Sequence, residues 1–287
     1  MNLQKKKILF FSTCHGSIIR QIMFNNPAFV EKYESFYIAN FAFRMKSATP
    51  ADMNAYAKNL YENIKTSDII IYQKVNKNHG KWSTDELFKN IKPGCRLILL
   101  PNFYNTAFFP LCKLGDYYGS KLFGEETIRD CLSKNKTLDG IILEYKENKL
   151  DWHFQERFDD NILRYKNDEE KSDVKIVDFI LKYYKDYRLF ADELHPSSVL
   201  CTYIANQLFD LLQIDGIRFN PFDYKDIDLY FHAYSTPAKL FYDFKWMPNK
   251  INDDHYIEII TELYNKWHQN PLSVIDTEIK EKTSYTF

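Results

Sequence analysis

The sequence feature that most constrains the fold is a series of four short apolar runs, separated by stretches that have mostly helical spacing. These runs cover residues 7–12, 35–40, 68–73 and 95–100. Continuous apolar runs of this length are typical of strands that are buried on both faces of a parallel sheet. Strands that alternate with helices predict an α/β fold with a mostly parallel sheet flanked by helices.

The intervening and following segments predict seven helices and one further strand. The helices are predicted at residues 17–24, 51–65, 85–90, 125–132, 173–184, 198–212 and 254–267. Ser17 is the expected N-cap of the first helix, because a serine hydroxyl accepts a hydrogen bond from a first-turn N–H. A short last strand is predicted at residues 188–191, directly before the polar segment 192–195.

The regularity of the pattern also suggests how the chain is divided. Strands and helices alternate clearly up to about residue 105, and the chain becomes aromatic and irregular after residue 216. We therefore expect an α/β domain at residues 1–216. An aromatic, helical C-terminal extension at residues 217–287 is expected to pack on that core.

Composition narrows the possible classes of function. The formal net charge of −1 provides no bulk attraction to nucleic acid or to an anionic membrane. The chain has only 8 glycines and neither G-x-G-x-x-G nor G-x-x-x-x-G-K-[ST], which argues against a glycine-rich nucleotide-binding loop. No apolar run approaches the ~20 residues of a membrane span. We therefore expect a cytoplasmic protein that binds no nucleic acid and does not span a membrane.

The cysteines are odd in number, widely scattered and without any C-x-x-C pair. They are Cys14, Cys95, Cys112, Cys131 and Cys201. This pattern argues against a disulfide framework or a zinc knuckle and fits free thiols in a reducing compartment. The spacing of histidine and acidic residues gives no metal site either, so no metal is expected. Cys14 differs from the others, which we interpret as structural, because it lies in a turn between a predicted strand and a predicted helix.

Polar residues follow three of the predicted strands at the ends where ligands bind in parallel sheets. Cys14, Gln73 and Asn102 each come directly after, or at the end of, an apolar run. Gly16 allows the backbone to bend closely after Cys14, and the N–H groups at a helix start are suited to developing negative charge. A lone cysteine here is either a nucleophile or a small buried apolar residue.

A second informative segment is Asp192-Glu193-Leu194-His195. An aspartate three residues before a histidine can hold the imidazole in the tautomer that presents its other nitrogen to a nucleophile. The same spacing also arises in helix caps and surface loops, so the segment gains weight only together with Cys14.

A nucleophile in the first turn, a polar residue after a middle strand and a late D-x-x-H resemble the layout of SGNH/GDSL-type hydrolases. In that comparison Cys14 stands in the place of the family's serine, and Asn102 in the place of its oxyanion-binding asparagine. Asp192 and His195 match its final block. The resemblance implies a three-layer core. The chain departs from the family in lacking Gly-Asp-Ser and an evident second-block glycine, although Gln73 lies in that region.

Four motifs in order resemble more closely the WcbI-type family of capsular polysaccharide biosynthesis, over roughly residues 5–213. They are Cys14-His15-Gly16, Ile71-Tyr72-Gln73, Leu100-Pro101-Asn102-Phe103-Tyr104, and Arg188-Leu189-Phe190 followed by His195-Pro196. The first turn of that family typically reads Asn-Cys-Gln, so Thr13 and His15 depart from its usual neighbours. The resemblance implies an SGNH-like, coenzyme A-dependent acetyltransferase.

The resemblance also assigns roles to residues of this chain. Acyl transfer from acyl-coenzyme A to a sugar hydroxyl of capsular or surface polysaccharide is the implied reaction. The catalytic set is Cys14, His195 and Asp192. The set expected to bind the oxyanion or the substrate is Gly16, Gln73 and Asn102. The set expected near the cofactor is His15, Ser17 and Tyr104.

Several alternatives stay open at the level of sequence. Cys14 either forms an acyl-enzyme or only lines the site while His195 activates the sugar hydroxyl directly. The acceptor is expected to be a polysaccharide or a sugar nucleotide, and association with a capsule-synthesis complex is an open alternative. With water as acceptor the same residues would make a carbohydrate esterase or deacetylase. The third possible function, besides acyltransferase and esterase, is that of a non-catalytic glycan-binding subunit.

Overall fold

The computed structural model describes residues 4–44, 49–110, 112–113, 122–123, 125–223, 234–248, 251 and 253–269. Its strands are β1 Lys6–Ser12, β2 Tyr33–Ala39, β3 Ile69–Tyr72, β4 Arg96–Leu99, β5 Cys112–Lys113 and β6 Leu122–Phe123. Its α-helices are α1 Cys14–Phe24, α2 Pro27–Lys32, α3 Pro50–Thr66, α4 Thr84–Leu87, α5 Glu125–Ser133, α6 Leu138–Lys146, α7 Phe154–Glu169, α8 Val177–Tyr183, α9 Ser198–Leu211, α10 Thr236–Tyr242 and α11 Asp254–Gln269. Short 3-10 turns lie at Ala42–Arg44, Lys77–Trp82, Phe88–Asn90 and Pro221–Asp223.

The main sheet has four parallel strands in the order β2-β1-β3-β4. All four strands predicted from the apolar runs are present, with ends that differ by at most two residues. β1 lies in the centre, pairing with both β2 and β3, and its residues Ile8, Leu9, Phe10 and Phe11 are fully buried. The predicted α/β fold with a parallel sheet is therefore confirmed.

Helices cover both faces of this sheet, because successive side chains of β1 point to opposite sides. On one face Leu9 and Phe11 form an apolar cluster with Leu60 and Ile64 of α3. On the other face Ser12 lies against Gly16 of α1, and α1 packs against α9. The sheet is thus the middle layer of a three-layer arrangement.

The predicted strand at residues 188–191 is wrong. Only an isolated bridge occurs, at Phe190, and no strand lies between α8 and α9. The carbonyl groups of this segment accept side-chain donors instead of pairing with a strand. Phe190 O accepts the Tyr234 hydroxyl (2.6 Å) and the Arg188 Nε–H (3.3 Å), while Ala191 O accepts Arg188 Nη2 (2.9 Å).

Two predicted helices have different boundaries in the structure. α1 begins at Cys14 and not at Ser17, with Thr13 as its N-cap residue. The helix predicted from residue 173 begins only at Val177, because Asp173 pairs with Leu99 at the end of β4. Leu99 N donates to Asp173 Oδ2 (2.7 Å), and Asp173 N donates to Leu99 O (3.0 Å).

Four helices of the structure were not predicted: α2, α6, α7 and α10. Three of them carry start signals that the sequence displays. Asn26 caps α2, Thr137 caps α6 and Ser235 caps α10, and α2 and α10 also have a proline in the first turn. The helices predicted near residues 51–65, 85–90, 125–132, 198–212 and 254–267 are present as α3, α4 with its following 3-10 turn, α5, α9 and α11.

The chain divides into two compact units that do not follow the expected boundary after residue 216. The first unit contains Met1–Phe103, Arg164–Tyr183 and His195–Ile227. The second unit contains Tyr104–Leu163, Tyr184–Leu194 and Asp228–Phe287. The predicted α/β domain at residues 1–216 and the extension at residues 217–287 stay a prediction about how the chain is organised.

The second unit is organised around aromatic side chains. Among the described residues, the Phe108 ring has five aromatic neighbours with ring centroids 5.0–6.2 Å away. They are Phe158, Tyr184, Phe190, Tyr242 and Phe244. Asp253 also joins separate parts of this unit, because it accepts hydrogen bonds from Tyr145 Oη (2.8 Å), Thr236 N (3.0 Å) and Thr236 Oγ1 (2.5 Å).

Within the described residues, every helix is too short or too polar to cross a lipid bilayer.

Candidate functional site

The candidate site lies at the carboxyl edge of the sheet, where β1 and β3 are neighbours. The chain proceeds from β1 outward to β2 on one side and through β3 to β4 on the other, so the strand order reverses between β1 and β3. Ligands of open α/β sheets bind outside the strand ends at such a switch point. Thr13 and Cys14 follow β1 here, and Gln73 follows β3.

Gln73 braces the turn that contains Cys14. Its Nε2 donates to Pro101 O (2.9 Å), and its Oε1 accepts both Thr13 N–H (3.0 Å) and the Thr13 hydroxyl (2.7 Å). These partners fix the orientation of the amide, because only the oxygen can accept the Thr13 N–H. The Gln73 side chain therefore holds the turn against the end of β4.

This brace also sets the tautomer of His15. The Thr13 hydroxyl gives its proton to Gln73 and so offers a lone pair to His15 Nδ1, which lies 2.7 Å from Thr13 Oγ1. His15 Nδ1 must therefore carry a proton, which leaves Nε2 of the neutral ring with its lone pair. The His15 side chain is only 4 % exposed. No regularly oriented hydrogen bond to His15 Nε2 is found within the described part of the chain.

Gly16 lets α1 approach β1 closely. A Cβ at this position would lie 1.8 Å from Ser12 Oγ and 3.7 Å from Tyr37 Cε2. The Gly16 N–H donates to Thr13 O (3.0 Å), so this amide is already used by the fold. Gly16 therefore has a packing role, and its expected role in binding the oxyanion or the substrate stays a prediction. Among the described residues no acceptor is found for the N–H groups of Cys14 and His15, the first two of α1.

The half-buried Cys14 thiol faces two imidazoles. Cys14 Sγ and one nitrogen each of His15 and His195 all lie within 4.8 Å of one another. The two rings meet edge to face, with centroids 5.3 Å apart at 78°. His195 is brought here because it directly precedes α9, which packs on α1.

The environment of Cys14 favours the thiolate. Burial alone would raise the pKa of the thiol, but hydrogen bonds to His15 and His195 and the charges of both imidazoles lower it from 9.0 to about 6. A thiol held by neighbouring imidazolium groups is the arrangement that makes cysteines nucleophilic near neutral pH.

Tyr37 is a neighbour of this thiol that the sequence analysis missed. It lies on β2 opposite Phe10. Burial raises the pKa of the Tyr37 hydroxyl well above 10.0, and the negative charge of Cys14 raises it further. Tyr37 therefore stays protonated beside the thiolate. The sequence gives no signal that Tyr37 lies near Cys14, because this closeness depends on the pairing of β2 with β1.

Asn102 follows β4 and is half-buried. Its backbone N–H donates to the carboxylate of Asp168, whose pKa is raised by burial and lowered by Arg164 and by this bond. The backbone of Asn102 is thus anchored at the strand end, as expected for a residue of this edge. Ser17, expected near the cofactor, lies half-buried in the first turns of α1.

Asp192 and Tyr104 belong to the second unit. Asp192 is 3 % exposed, and its Oδ1 accepts Leu194 N–H (2.8 Å) in a local turn that leads towards His195. The first unit alone therefore brings together Cys14, His15 and His195.

Fold and site together define a three-layer α/β protein with an activated thiol at the switch point of a parallel sheet. The family model described as "Polysaccharide biosynthesis enzyme WcbI" matches residues 7–216. The chain belongs to this family of polysaccharide biosynthesis enzymes, so the resemblance seen in the sequence motifs is confirmed.

One solved structure supports the same fold. It has a TM-score of 0.66 and 16% sequence identity, and the match covers 92% of this chain and 91% of that chain. That protein is WcbI, described as a novel polysaccharide biosynthesis enzyme in its native form without a disulfide bond between coenzyme A and its Cys14. A search of curated proteins found no match.

Proposed function

We propose that this enzyme transfers an acyl group, most simply acetyl, from acyl-coenzyme A to a sugar hydroxyl in bacterial capsular or surface polysaccharide biosynthesis. The observation that carries the proposal is the Cys14 thiol held against the imidazoles of His15 and His195 at the switch point. Family membership supports a sugar acceptor. The solved relative, whose description names coenzyme A with a cysteine, supports the donor. The three-layer core supports the SGNH-like assignment.

The first step is attack of the Cys14 thiolate on the thioester carbonyl carbon. The new bond joins this carbon to Cys14 Sγ, and the bond to the sulfur of coenzyme A breaks. The coenzyme A thiolate leaves and takes a proton from a neighbouring imidazolium. The N–H groups of Cys14 and His15 stabilise the oxyanion, each good donor contributing on the order of 3 kcal/mol. The Asn102 side chain is the third donor in this proposal.

The second step transfers the acyl group to the sugar. His195 accepts the proton of the sugar hydroxyl, whose oxygen attacks the acyl carbon while the bond to Cys14 Sγ breaks. A thiol with a low pKa is a good leaving group, so the environment that activates Cys14 also favours its release. Asp192, three residues before His195, is assigned the role of orienting the imidazole.

Gln73 and Thr13, which hold the turn that contains Cys14, have a positioning role in this mechanism. Gln73 and Thr13 use their polar atoms on each other, on Pro101 and on His15. We therefore assign Gln73 to holding the turn and not to binding the oxyanion. Ser17 and Tyr104 remain assigned to the coenzyme, and the acceptor remains a polysaccharide or a sugar nucleotide.

Binding of coenzyme A tests the donor. We expect coenzyme A at 100 times its Kd to stabilise the protein by about 2.7 kcal/mol in thermal denaturation. The Cys14→Ala and His195→Ala variants test whether coenzyme A binds at these two side chains. Cys95→Ser is the matched control for a thiol outside the site. Absence of coenzyme A binding to the unmodified protein would contradict the proposal.

Turnover tests the acceptor and the covalent step. Incubation with acetyl-coenzyme A should add one acetyl group to Cys14, detected by mass spectrometry of the peptide, and a sugar acceptor should remove it. Full activity of Cys14→Ser would favour direct activation of the sugar by His195, and an active His195→Ala variant would overturn the scheme. Acetate release without an acceptor would indicate an esterase, and coenzyme A-independent glycan binding without turnover would indicate a glycan-binding subunit.

A further inference from the structure

The geometry points to a second property of the same residues: Cys14, His15 and His195 form a three-ligand site for Zn²⁺, with the fourth coordination position open to solvent or ligand. Sequence spacing gave no sign of it, because His195 lies 180 residues away from the other two ligands. Binding of the metal goes beyond acyl transfer and does not depend on it, whereas the effect of the metal on catalysis rests on the proposed function.

The donor set matches the chemistry of zinc. Zn²⁺ favours thiolate sulfur and imidazole nitrogen, and sites with three protein ligands keep one position free. The three donor atoms lie within 4.8 Å of one another. Bonds of about 2.3 Å to sulfur and about 2.1 Å to nitrogen bring such atoms closer together, so the side chains close slightly around the ion.

The state of His15 is the second, independent observation. Its ring is 4 % exposed, and apart from its interaction with the Cys14 thiol, a fellow ligand, its Nε2 has no hydrogen-bond partner within the described residues. A buried polar atom that is incompletely satisfied is uncommon and fits a missing ligand or water. The Nδ1–H is held by Thr13 Oγ1 (2.7 Å), which is in turn held by Gln73. Metal-binding histidines characteristically donate their other N–H in this way.

The bound ion competes with catalysis. Zinc takes the sulfur lone pair with which Cys14 attacks the thioester, so an acyl group and a metal exclude each other on this thiol. The metal-bound enzyme is therefore an inhibited form, and a chelator restores the free thiol.

Cobalt binding tests the site without any substrate. Co²⁺ replaces Zn²⁺ in thiolate sites and adds a sulfur-to-metal charge-transfer absorption that reports directly on the Cys14 bond. Titration of the reduced, chelator-treated full chain should give this absorption with one equivalent of Co²⁺, and Zn²⁺ should abolish it by displacement. Absence of the absorption in the unmodified protein would overturn the proposal, even if coenzyme A binds.

Variants locate the ligands. Cys14→Ser should remove the charge-transfer absorption, and Cys95→Ser should keep it. Thr13→Val should weaken binding by about 10–100-fold, as expected for loss of a partner that orients a ligand, and His15→Gln by at least as much. Circular dichroism tests whether each variant is folded. If a variant is unfolded, His195→Gln is used in its place. An unchanged titration for Cys14→Ser, or for the folded histidine variants, would contradict the assignment.

Discussion

At the scale of single residues, the position of one proton on His15 depends on a hydroxyl two residues earlier. Thr13 donates to Gln73 and therefore accepts from His15 Nδ1. The orientation of the Gln73 amide is fixed in turn by Pro101 O. A chain of three hydrogen bonds thus determines which nitrogen faces the thiol, and changes in it should alter reactivity without removing any reacting group.

Thr13→Val tests this chain of hydrogen bonds with a side chain of similar shape. The variant leaves the buried His15 Nδ1–H without an acceptor, which should cost about 1–3 kcal/mol of stability. The ring loses its fixed orientation, so the pKa of Cys14 should rise towards its ordinary value. Alkylation rates as a function of pH and thermal denaturation measure the two effects. Thr13→Ser keeps the hydroxyl and should behave like the unmodified protein.

The pH dependence of alkylation distinguishes Cys14 from an ordinary thiol. Hydrogen bonds and the charges of His15 and His195 outweigh burial and lower the pKa of Cys14 to about 6, so its thiolate is lost only as pH falls through 6. Burial raises the pKa of Cys95. In metal-free protein, iodoacetamide should therefore modify Cys14 at half its maximal rate near pH 6. Cys95 should react only in alkaline solution, and an inflection for Cys14 near pH 9 would be inconsistent with the site.

The sequence pointed to the side chains at the centre of the candidate site better than to their partners. Cys14 and His195 were predicted because a strand-end turn and a histidine before a helix are local patterns. His15 was expected near the cofactor, and Thr13 and Tyr37 were assigned no role. Their roles depend on distances between β1, β2 and β3 that no local pattern records.

At the scale of elements, α1 can begin at Cys14 only because Gly16 has no side chain. The helix lies directly on β1, with Ser12 beneath Gly16. This contact fixes the height of the first turn above the sheet and hence the positions of the Cys14 and His15 N–H groups.

Gly16→Ala should therefore destabilise the protein although alanine is the better helix former. The added Cβ would lie 1.8 Å from Ser12 Oγ and 3.1 Å from Ser12 Cβ, so the Ser12 hydroxyl must rotate away and the helix must give by a few tenths of an ångström. Overpacking of this kind costs about 1–3 kcal/mol. Chemical denaturation measures the loss, and Ser12→Ala in the same chain should recover part of it. Equal stability of Gly16→Ala and the unmodified protein would show that α1 adjusts freely.

The strands predicted correctly are those whose apolar side chains are buried on both faces of the sheet. The central strands β1 and β3 contain the continuous apolar runs Ile8–Phe11 and Ile69–Ile71, so their sequences report directly on the fold. Residues 188–191 have a strand-like sequence but do not form a strand. The carbonyl groups of Phe190 and Ala191 accept hydrogen bonds from the Tyr234 and Arg188 side chains instead. The Tyr234 donor lies more than 40 residues away in the chain, which explains why the segment was misread.

At the scale of the whole molecule, each of the two units has its own core. The second unit depends on side chains from distant parts of the sequence, and Asp253 is the clearest case. It connects Tyr145 of α6 with Thr236 at the start of α10.

Asp253→Ala should destabilise the protein markedly. Hydrogen bonds to charged groups contribute about 1.5–3 kcal/mol each, and the Tyr145 hydroxyl would lose its acceptor. Urea denaturation should show the loss. Asp253→Asn keeps one oxygen for the Thr236 N–H and should lose less, whereas equal losses would mean that charge and not hydrogen bonding matters.

The order in which the first unit is synthesised has a consequence for its thiol. α1 is made well before α9, which ends at Leu211, yet the two helices pack against each other. Domains fold as units during translation, so the site cannot form until α9 has emerged. Until then Cys14 has no His195 beside it and ionises like a free cysteine. The Cys14 thiol of the nascent chain is therefore mostly protonated at neutral pH, and it becomes reactive only after the first unit has folded around it.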